Sequence, residues 1–483
     1  MTTEQRDART DLCYLGAAEL AAAIRSRRLS PVEIVEALLE RIGRVEPKLN
    51  AFTIVRADEA RAEARVAEAA VLRGDALGPL HGVPFTLKDL TFTAGVKTMR
   101  GSRAFADFVP EQNAVVAERL LAAGGIFLGK TTTPELGNKG VTESPLSGTT
   151  NNPWKLTHVC GGSSGGAAAA VAAGLCPIAD GSDGAGSIRI PASLCGVVGL
   201  KPSYGRVPVY PMSGGFSPLT HNGPIARGVA DAALMLNTIA GPSATDAYSI
   251  DETGVDYVEA LREPSVRGLR VAFSHDLGLG PLDSRVRGPF ERALQRFAGT
   301  LGAQLEEAAP DLAGAEEVCL TIWRAQMGYA AKTMILTRVG RDEVDPSLLA
   351  FLDEGEQLGP FDYYEALVIR RGELYQRAMA FMQRYDLLLT PTLLTPAFPH
   401  PGSAPGPSAI DGAPINPFLG WLLTYPFNLT GQPAITVPCG FSDDGLPIGL
   451  QIVGRRHDDA GVLRAAAAFE QAAPWQDRRP ALV

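Results

Sequence analysis

The sequence is short of the features that would place it in many familiar classes. Six cysteines (13, 160, 176, 195, 319 and 439) are spread over 483 residues, with no CxxC or CxxxH spacing. A zinc site or disulfide framework is therefore not expected, and buried free thiols in a reducing compartment are. No uncharged apolar run reaches 18 residues; Ala167 to Cys176 comes nearest and is too short to span a bilayer. The opening MTTEQRDARTDLC lacks the apolar stretch of a signal peptide and mixes acids with its bases. A cytoplasmic location follows as the expectation. Basic residues are in deficit, with 44 Lys and Arg against 53 Asp and Glu and a formal charge of −9. A nucleic-acid footprint would be basic and clustered, so none is expected. No internal repeat, heptad array or low-complexity tail is present.

What is present is a large apolar share, 46%, enough for an extensive core. Residues 15–29 and 31–44 read as amphipathic helices. The second opens with Ser30, Pro31 and Glu33, a capping pattern with proline at the first helical position. Ala57 to Arg73 continues the helical layer. Gly78 to Leu90 is strand-like, Ala114 to Ala123 helical, Gly125 to Gly129 a buried strand, 164–175 an alanine-packed helix and Val197 to Leu200 another strand. Beyond 251 the texture is more charged: a strand at 269–276, then helices at Ser284 to Leu301 and Tyr363 to Arg384. The end returns to strands at 386–392, 433–441 and 446–454 and a helix from Ala460 to Ala472. Alternating helices and buried strands imply an α/β fold: one large mixed, twisted central sheet covered by helices on both faces, with a helical insertion. We expect a single domain over 1–483, divided into a helical layer (1–75), a core (76–250), a variable, mainly helical pocket segment (251–383) and C-terminal strands and helix (384–483).

Two motif matches compete for attention. Gly124 to Thr131 satisfies the Walker A pattern, yet its residues are strand-like, a helix precedes it and Pro134 follows, whereas a phosphate loop follows a strand and opens a helix. Lys130 is expected to be structural, at a strand end. Gly162 to Gly166 contains G-x-S-x-G, but the preceding strand is weak and no downstream histidine sits in an evident catalytic context. A serine activated without histidine needs another base within reach. Lysine serves if burial favours its neutral form. Lys88, in VPFTLKDL, sits in apolar text; composition alone favours its pairing with Asp89 or reaching the surface.

The ordered motifs HGVPFTLKDL (81–90), GKTTTPELG (129–137), NPWKLTHVCGGSSGG (152–166), SDGAGSIRIPASLCGVVGLKPSYGRV (182–207), YPFNLTGQPAITVPCG (425–440) and GLPIGLQIVG (445–454) resemble those of the amidase signature family. The resemblance runs from the N-terminal helices to the final helix and implies the amidase signature fold and a Ser-cisSer-Lys triad. It carries the nucleophile to Ser187, the bridging serine on a cis peptide to Ser163, and the base to Lys88. It also implies an oxyanion hole from the amides of Gly184, Ala185, Gly186 and Ser187, and support from Ser164 and the Asp183–Arg189 pair. Cys160 and Cys195 read as packing, and Asn152 to Trp154 and Gln432–Pro433 as scaffold. Three departures stand out: Ala185 for the usual glycine, Ser182 for threonine, and Thr132 for asparagine, all expected to bear on pocket shape.

Within the family the sequence is similar to bacterial hydrolases of linear or cyclic non-peptide amides, the 6-aminohexanoate cyclic-dimer hydrolase and aryl acylamidase types. The expected activity is hydrolysis of a small-molecule amide through an acyl-enzyme. Urethane or aryl-acylamide hydrolysis is the alternative, then the role of the A subunit of glutamyl-tRNA amidotransferase, and, outside the family, a nucleotide binder. No cofactor or metal is expected, nor a nucleic-acid or membrane partner; a homodimer is consistent with base rates. The segment 310–380, with Trp323, Met327, Tyr329 and Phe351, is the expected pocket wall.

Overall fold

The second helix shows how local signals set element boundaries. Ser30 Oγ accepts from the amides of Val32 and Glu33, Glu33 caps the Ser30 amide, and Pro31 occupies the first turn. The helix runs to Leu49, five residues beyond the expected end, and stops where Asn50 turns left-handed at φ 53°. Its buried stripe of Ile34, Val35, Leu38, Ile42 and Val45 lies at helical spacing. The computed structural model describes residues 10–211 and 216–482. The segment before Thr10, read above as no signal peptide, lies outside the described residues.

Eleven strands build one sheet: β1 (Phe52–Val55), β2 (Pro84–Lys88), β3 (Ile126–Thr131), β4 (Ile178–Asp183), β5 (Val198–Lys201), β6 (His221–Ala226), β7 (Arg270–Phe273), β8 (Gln304–Glu307), β9 (Leu387–Pro391), β10 (Ala434–Phe441) and β11 (Pro447–Gly454). Their spatial order is β1-β3-β2-β4-β6-β5-β10-β11-β9-β7-β8. Two parallel blocks, β3-β2-β4 and β9-β7-β8, are joined through antiparallel pairings, so the sheet is mixed. Segments far apart in sequence are therefore neighbours in one sheet.

Strand alternation divides the core in two. Leu387 and Leu389 of β9, with Leu450 and Ile452 of β11, join a cluster that includes Phe290, Phe297, Val462 and Phe469. Leu388 and Val453 join another with Cys319, Ile322, Trp323, Leu374 and Phe381. Successive residues of one strand feed opposite clusters, so helices cover both faces. The central strands β2, β3 and β4 are buried along their whole length, which explains why β2 and β3 read as apolar runs rather than alternating patterns.

The expected strands and helices are present with small shifts in their ends. Four strands escaped the reading. β1 is four residues long, β4 (IADGSD) ends in polar residues and glycine, β6 (HNGPIA) carries glycine and proline, and β8 (QLEE) is a charged edge. The 251–383 segment is thus not simply a helical insertion, because β7 and β8 extend the sheet. Its helical part follows: Ala315–Ala330, Pro346–Gly355, Pro360–Tyr364 and Arg371–Met382. The long helix expected at Tyr363 to Arg384 is broken by a π-helical stretch, Glu365–Arg370, and a second such stretch, Ala331–Ile335, follows Ala330. Among the described residues no helix is long and apolar enough to cross a membrane.

Removing the Ser30 cap by Ser30→Ala is expected to cost about 1 kcal/mol. A lowered denaturant midpoint with an unchanged slope would show it.

Candidate active site

β2 and β4 are parallel neighbours in the register Phe85↔Ile178 and Thr86↔Ala179, so their C-terminal ends emerge side by side. β2 ends at Lys88 and β4 at Ser182 and Asp183. Lys88 is fully buried. Its Nζ donates to Ser163 Oγ at 2.7 Å and to Ser182 Oγ at 3.1 Å. The peptide joining Gly162 to Ser163 is cis. Ser164 follows, its amide donating to the Ser187 carbonyl at 3.1 Å and its hydroxyl to the Ser182 carbonyl at 3.3 Å. The helix Gly165–Ala172 starts at once. Its two leading glycines are steric requirements: a Cβ on Gly165 would meet Thr142 Oγ1 at 2.2 Å, and one on Gly166 would meet Thr132 Oγ1 at 2.3 Å.

Asp89 does not pair with Lys88. It accepts from the Met99 amide at 3.0 Å; burial raises its pKa, and the charge of Lys130 opposes the rise without outweighing it. Lys130, the lysine of the Walker-like match, is buried and holds Thr91 O and, at 2.8 Å, Thr93 Oγ1. The run before it is β3 and no helix begins directly after it, so it is a strand-end anchor and not a phosphate ligand. Asp180 is also buried; Oδ2 accepts from Thr91 Oγ1 at 2.5 Å while Oδ1 has no partner. Burial lowers the Lys88 pKa to about 7, against the pull of Asp180 and Asp183, which raise it. Burial likewise raises Asp180 to about 6.

The turn that carries Ser187 hangs from Asp183. Arg189 Nε and Nη2 each reach its carboxylate at 3.0 Å, and the other donors go to Thr424 O, Gln451 Oε1 and Asn428 Oδ1 at 2.9, 2.7 and 2.6 Å. All five guanidinium N–H groups are thereby used. Asn428 returns a bond to Asp183 Oδ1 at 2.8 Å. Burial opposes the Asp183 charge, but Arg189 outweighs it and holds the carboxyl well below the usual range. A depressed pKa contributes stability that is present above the unfolded value near 3.8 and is lost only as pH falls into strong acid.

Asp183 also accepts the amides of Gly186 at 2.7 Å and Ile188 at 3.2 Å. Gly186 is therefore withdrawn from the expected oxyanion donors. Among the described residues no acceptor takes the amides of Gly184, Ala185 or Ser187. Gly186 is instead required by shape: φ is 136°, and a Cβ there would meet Thr424 Oγ1 at 2.2 Å. Ala185 is not among the residues with positive φ, so the alanine at this position carries no backbone strain. Its carbonyl accepts from Thr424 Oγ1 at 2.7 Å.

Ser163, Ser182, Gly184 and Ser187 open together on one cavity of about 520 Å³, of the size that holds a small organic ligand. Ser187 Oγ makes no hydrogen bond with a described residue. From the middle segment, Trp323, Met327, Tyr329, Met334, Tyr363 and Leu367 form a largely apolar wall. Met334 and Leu367 lie on the two π-helical stretches, a geometry common at functional sites. Phe351 is not part of that wall; it packs edge-on against Phe418 at 4.8 Å. Thr132 is also away from the cavity, bonded to Thr150 at 2.6 Å, whereas Ser182 holds Lys88 itself. Cys160 and Cys195 are buried with thiols pushed up by burial, and Asn152 ties Val159 O to Leu194 O, as packing and scaffold. His221 is buried against the carbonyls of Leu219 and Asp183 and does not line the cavity, so no histidine serves either serine. Among the described residues no cluster could hold a metal ion.

The family model described as Amidase matches residues 33–463. The chain belongs to the amidase signature family. An acylamidase of Rhodococcus erythropolis is 47% identical over 474 residues, 98% of each chain. The A subunit of a glutamyl-tRNA(Gln) amidotransferase from Moorella thermoacetica is 38% identical, covering 98% of this chain and 99% of its own. Among solved structures, a bacterial aryl acylamidase superposes with TM-score 0.90 at 32% identity, over 96% and 97% of the two chains. A 6-aminohexanoate cyclic dimer hydrolase complexed with substrate gives 0.87 at 32%, over 97% and 99%. The chain is an amidase, a hydrolase of carbon–nitrogen amide bonds.

Asn428, Thr424, Gln451, Ser182 and Arg100 were missed as site residues. All but Ser182 lie far in sequence from the two serine turns, and only the folded sheet brings them close. Arg189→Met leaves Asp183 buried without its counter-charge and is expected to cost about 3–5 kcal/mol. Gln451→Leu removes one acceptor and should cost about 1–3 kcal/mol. Chemical denaturation of both variants checks the order; equal losses would refute the central place given to the ion pair.

Proposed function

We propose that this amidase hydrolyses small non-peptide amides through a Ser187 acyl-enzyme, with Ser163 and Lys88 as the proton relay. The observation that carries the reading is the buried Lys88 Nζ, 2.7 Å from Ser163 Oγ, with no carboxylate in ion-pair contact. A lysine whose pKa falls to about 7 is substantially neutral at physiological pH and can take a proton.

In this reading Ser163 passes its proton to neutral Lys88 and receives that of Ser187 as Ser187 Oγ attacks the amide carbon. Charge develops on the carbonyl oxygen, where the amides of Gly184, Ala185 and Ser187 are the unspent donors. Donors fixed before reaction stabilise such charge without reorganising. The tetrahedral intermediate collapses as Ser163 protonates the leaving nitrogen, and the amine departs. Water then attacks the ester carbon, returns the proton through the same relay and frees Ser187 and the carboxylic acid.

The aromatic wall of Trp323, Tyr329, Tyr363, Phe216 and Tyr248 favours an aryl or extended apolar group beside the scissile bond. The acylamidase relatives support the same class, and a carbamate would fit the same chemistry. The amidotransferase relatives share the frame, so glutamine is the substrate that separates the two readings. Hydrolysis of p-nitroanilides with negligible glutaminase activity supports the acylamidase side; the reverse would replace it.

Ser187→Ala is expected to lower kcat/KM on the order of 10⁴-fold or more with little change in thermal midpoint. Its hydroxyl holds no bond in the fold, so an unaltered rate would sink the nucleophile assignment. The acidic limb of the kcat/KM profile should rise through about pH 7 as Lys88 loses its proton. Asp180→Asn removes a charge that favours protonated Lys88 and should shift the limb to lower pH. A limb that stays in place would show that Lys88 does not govern it.

A further inference from the structure

The cavity wall is uncharged except at one point. Arg100 is the single charged residue among the described residues that line it. Its backbone is fixed on both sides. The amide donates to the Asp89 carbonyl at 3.0 Å, the carbonyl accepts from Leu136 at 2.9 Å, and φ is 59°, in the left-handed region. The turn that holds it thus joins the segment just after Lys88 to the one carrying Leu136 and Gly137, both also at the cavity.

The guanidinium has unusual company. It lies over the rings of Phe105 at 4.9 Å and Phe92 at 5.6 Å, while Arg338, a second cation, lies 5.0 Å from the same Phe105 ring. Among the described residues no carboxylate pairs with Arg100 and no acceptor takes any of its side-chain N–H groups; Nε is buried and without a partner. Asp89, the one carboxylate that acts on it through space, accepts from the Met99 amide, and that carboxylate forms no hydrogen bond or ion pair with the Arg100 side chain.

Arg100 is half-buried, and the buried arginines behave differently. Arg189 spends all five donors, Arg227 binds the carbonyls of Tyr14, Leu15, Val171 and Cys176, Arg41 binds Ala173 O, and Arg206 pairs with Asp459. Each of these four buried arginines is thus met by acceptors of the protein itself. Leaving a desolvated cation unpaired costs free energy unless something else supplies the acceptor. Burial lowers the Arg100 pKa to about 10, which still leaves it charged at neutral pH.

We propose that Arg100 is the specificity residue of the cavity, receiving a carboxylate carried by the substrate at a distance from the scissile amide. The preferred substrates are then amides of small acids or amines with a free carboxylate, seated with the apolar part against the aromatic wall. A planar carboxylate matches the fork of the guanidinium and supplies the counter-charge that the protein omits. The inference rests on the acyl-enzyme reading above and adds the charge of the substrate to it.

The test compares matched p-nitroanilides: succinyl, glutaryl and adipyl against their methyl esters. A reciprocal pair carries the carboxylate on the amine, N-acetyl-4-aminobenzoate against its methyl ester. Wild type, Arg100→Met and Arg100→Lys are assayed for kcat/KM, with thermal midpoints to verify folding. Wild type should favour the acid over its ester by roughly 10–100-fold in at least one pair, mainly through KM. Arg100→Met should erase or invert that ratio, and Arg100→Lys should restore part of it. Equal rates for acid and ester in every wild-type pair, or a preference that survives Arg100→Met, would overturn the proposal. If neither acid nor ester is turned over, the acyl-enzyme reading fails instead. Calorimetric binding of glutaranilate to wild type and Arg100→Met then decides the role of Arg100 by itself, tighter binding to wild type supporting it and equal or absent binding refuting it.

Discussion

Everything around Ser187 hangs on the buried contact between Asp183 and Arg189. Isolated, each charge would be expensive in this environment. Together they form a closed set: the carboxylate takes two amides of its own turn and the guanidinium reaches Thr424, Asn428 and Gln451. The strand end, the turn after it and the C-terminal part of the chain are thus locked into one geometry. This explains why the turn can leave the remaining amides unspent. Its conformation is held from the carboxylate side, so the face toward the cavity need not contribute bonds of its own.

The lysine is governed by the opposite condition. Asp183 keeps its charge because a partner is bonded to it, whereas Lys88 has hydroxyls and one carbonyl for company. Desolvation is then the dominant influence, moderated by two carboxylates near enough to act through space but not to pair. A salt bridge at Lys88 would fix its proton and remove it from service. The neighbouring carboxylate Asp89 is turned away from it and accepts from the Met99 amide instead.

Much of this was legible in the sequence. The capping pattern at Ser30, the buried runs of β2 and β3, and the glycine-flanked serines announce themselves through local chemistry. The family motifs then bring Lys88, Ser163 and Ser187 together. What stayed hidden was hidden for physical reasons. β6 is stabilised by neighbours on both sides, so its glycine and proline do not forbid a strand, as they would by propensity alone. Gly186 reads as an oxyanion donor until the carboxylate of Asp183 is seen to occupy its amide. Phe351 is the kind of residue that lines pockets and cores alike, and only tertiary packing assigns it to the core. Arg100 carries no local signal at all; its meaning lies in what is absent around it.

At Trp323 the middle segment meets the turn that carries Ser187. Its indole N–H is held by the Asn138 carbonyl at 3.0 Å, and its ring stands so close to Gly184 that a Cβ there would lie 3.0 Å from it. The middle segment is held at other points as well, Lys139 pairing with Asp345 at 2.7 Å and Arg371 donating to the Leu429 carbonyl at 2.8 Å. The groups proposed to react come from before residue 190, and their scaffold from 424 to 451. The protein is in this sense modular: the lining that a substrate would meet and the groups proposed to act on it belong to separate stretches of chain.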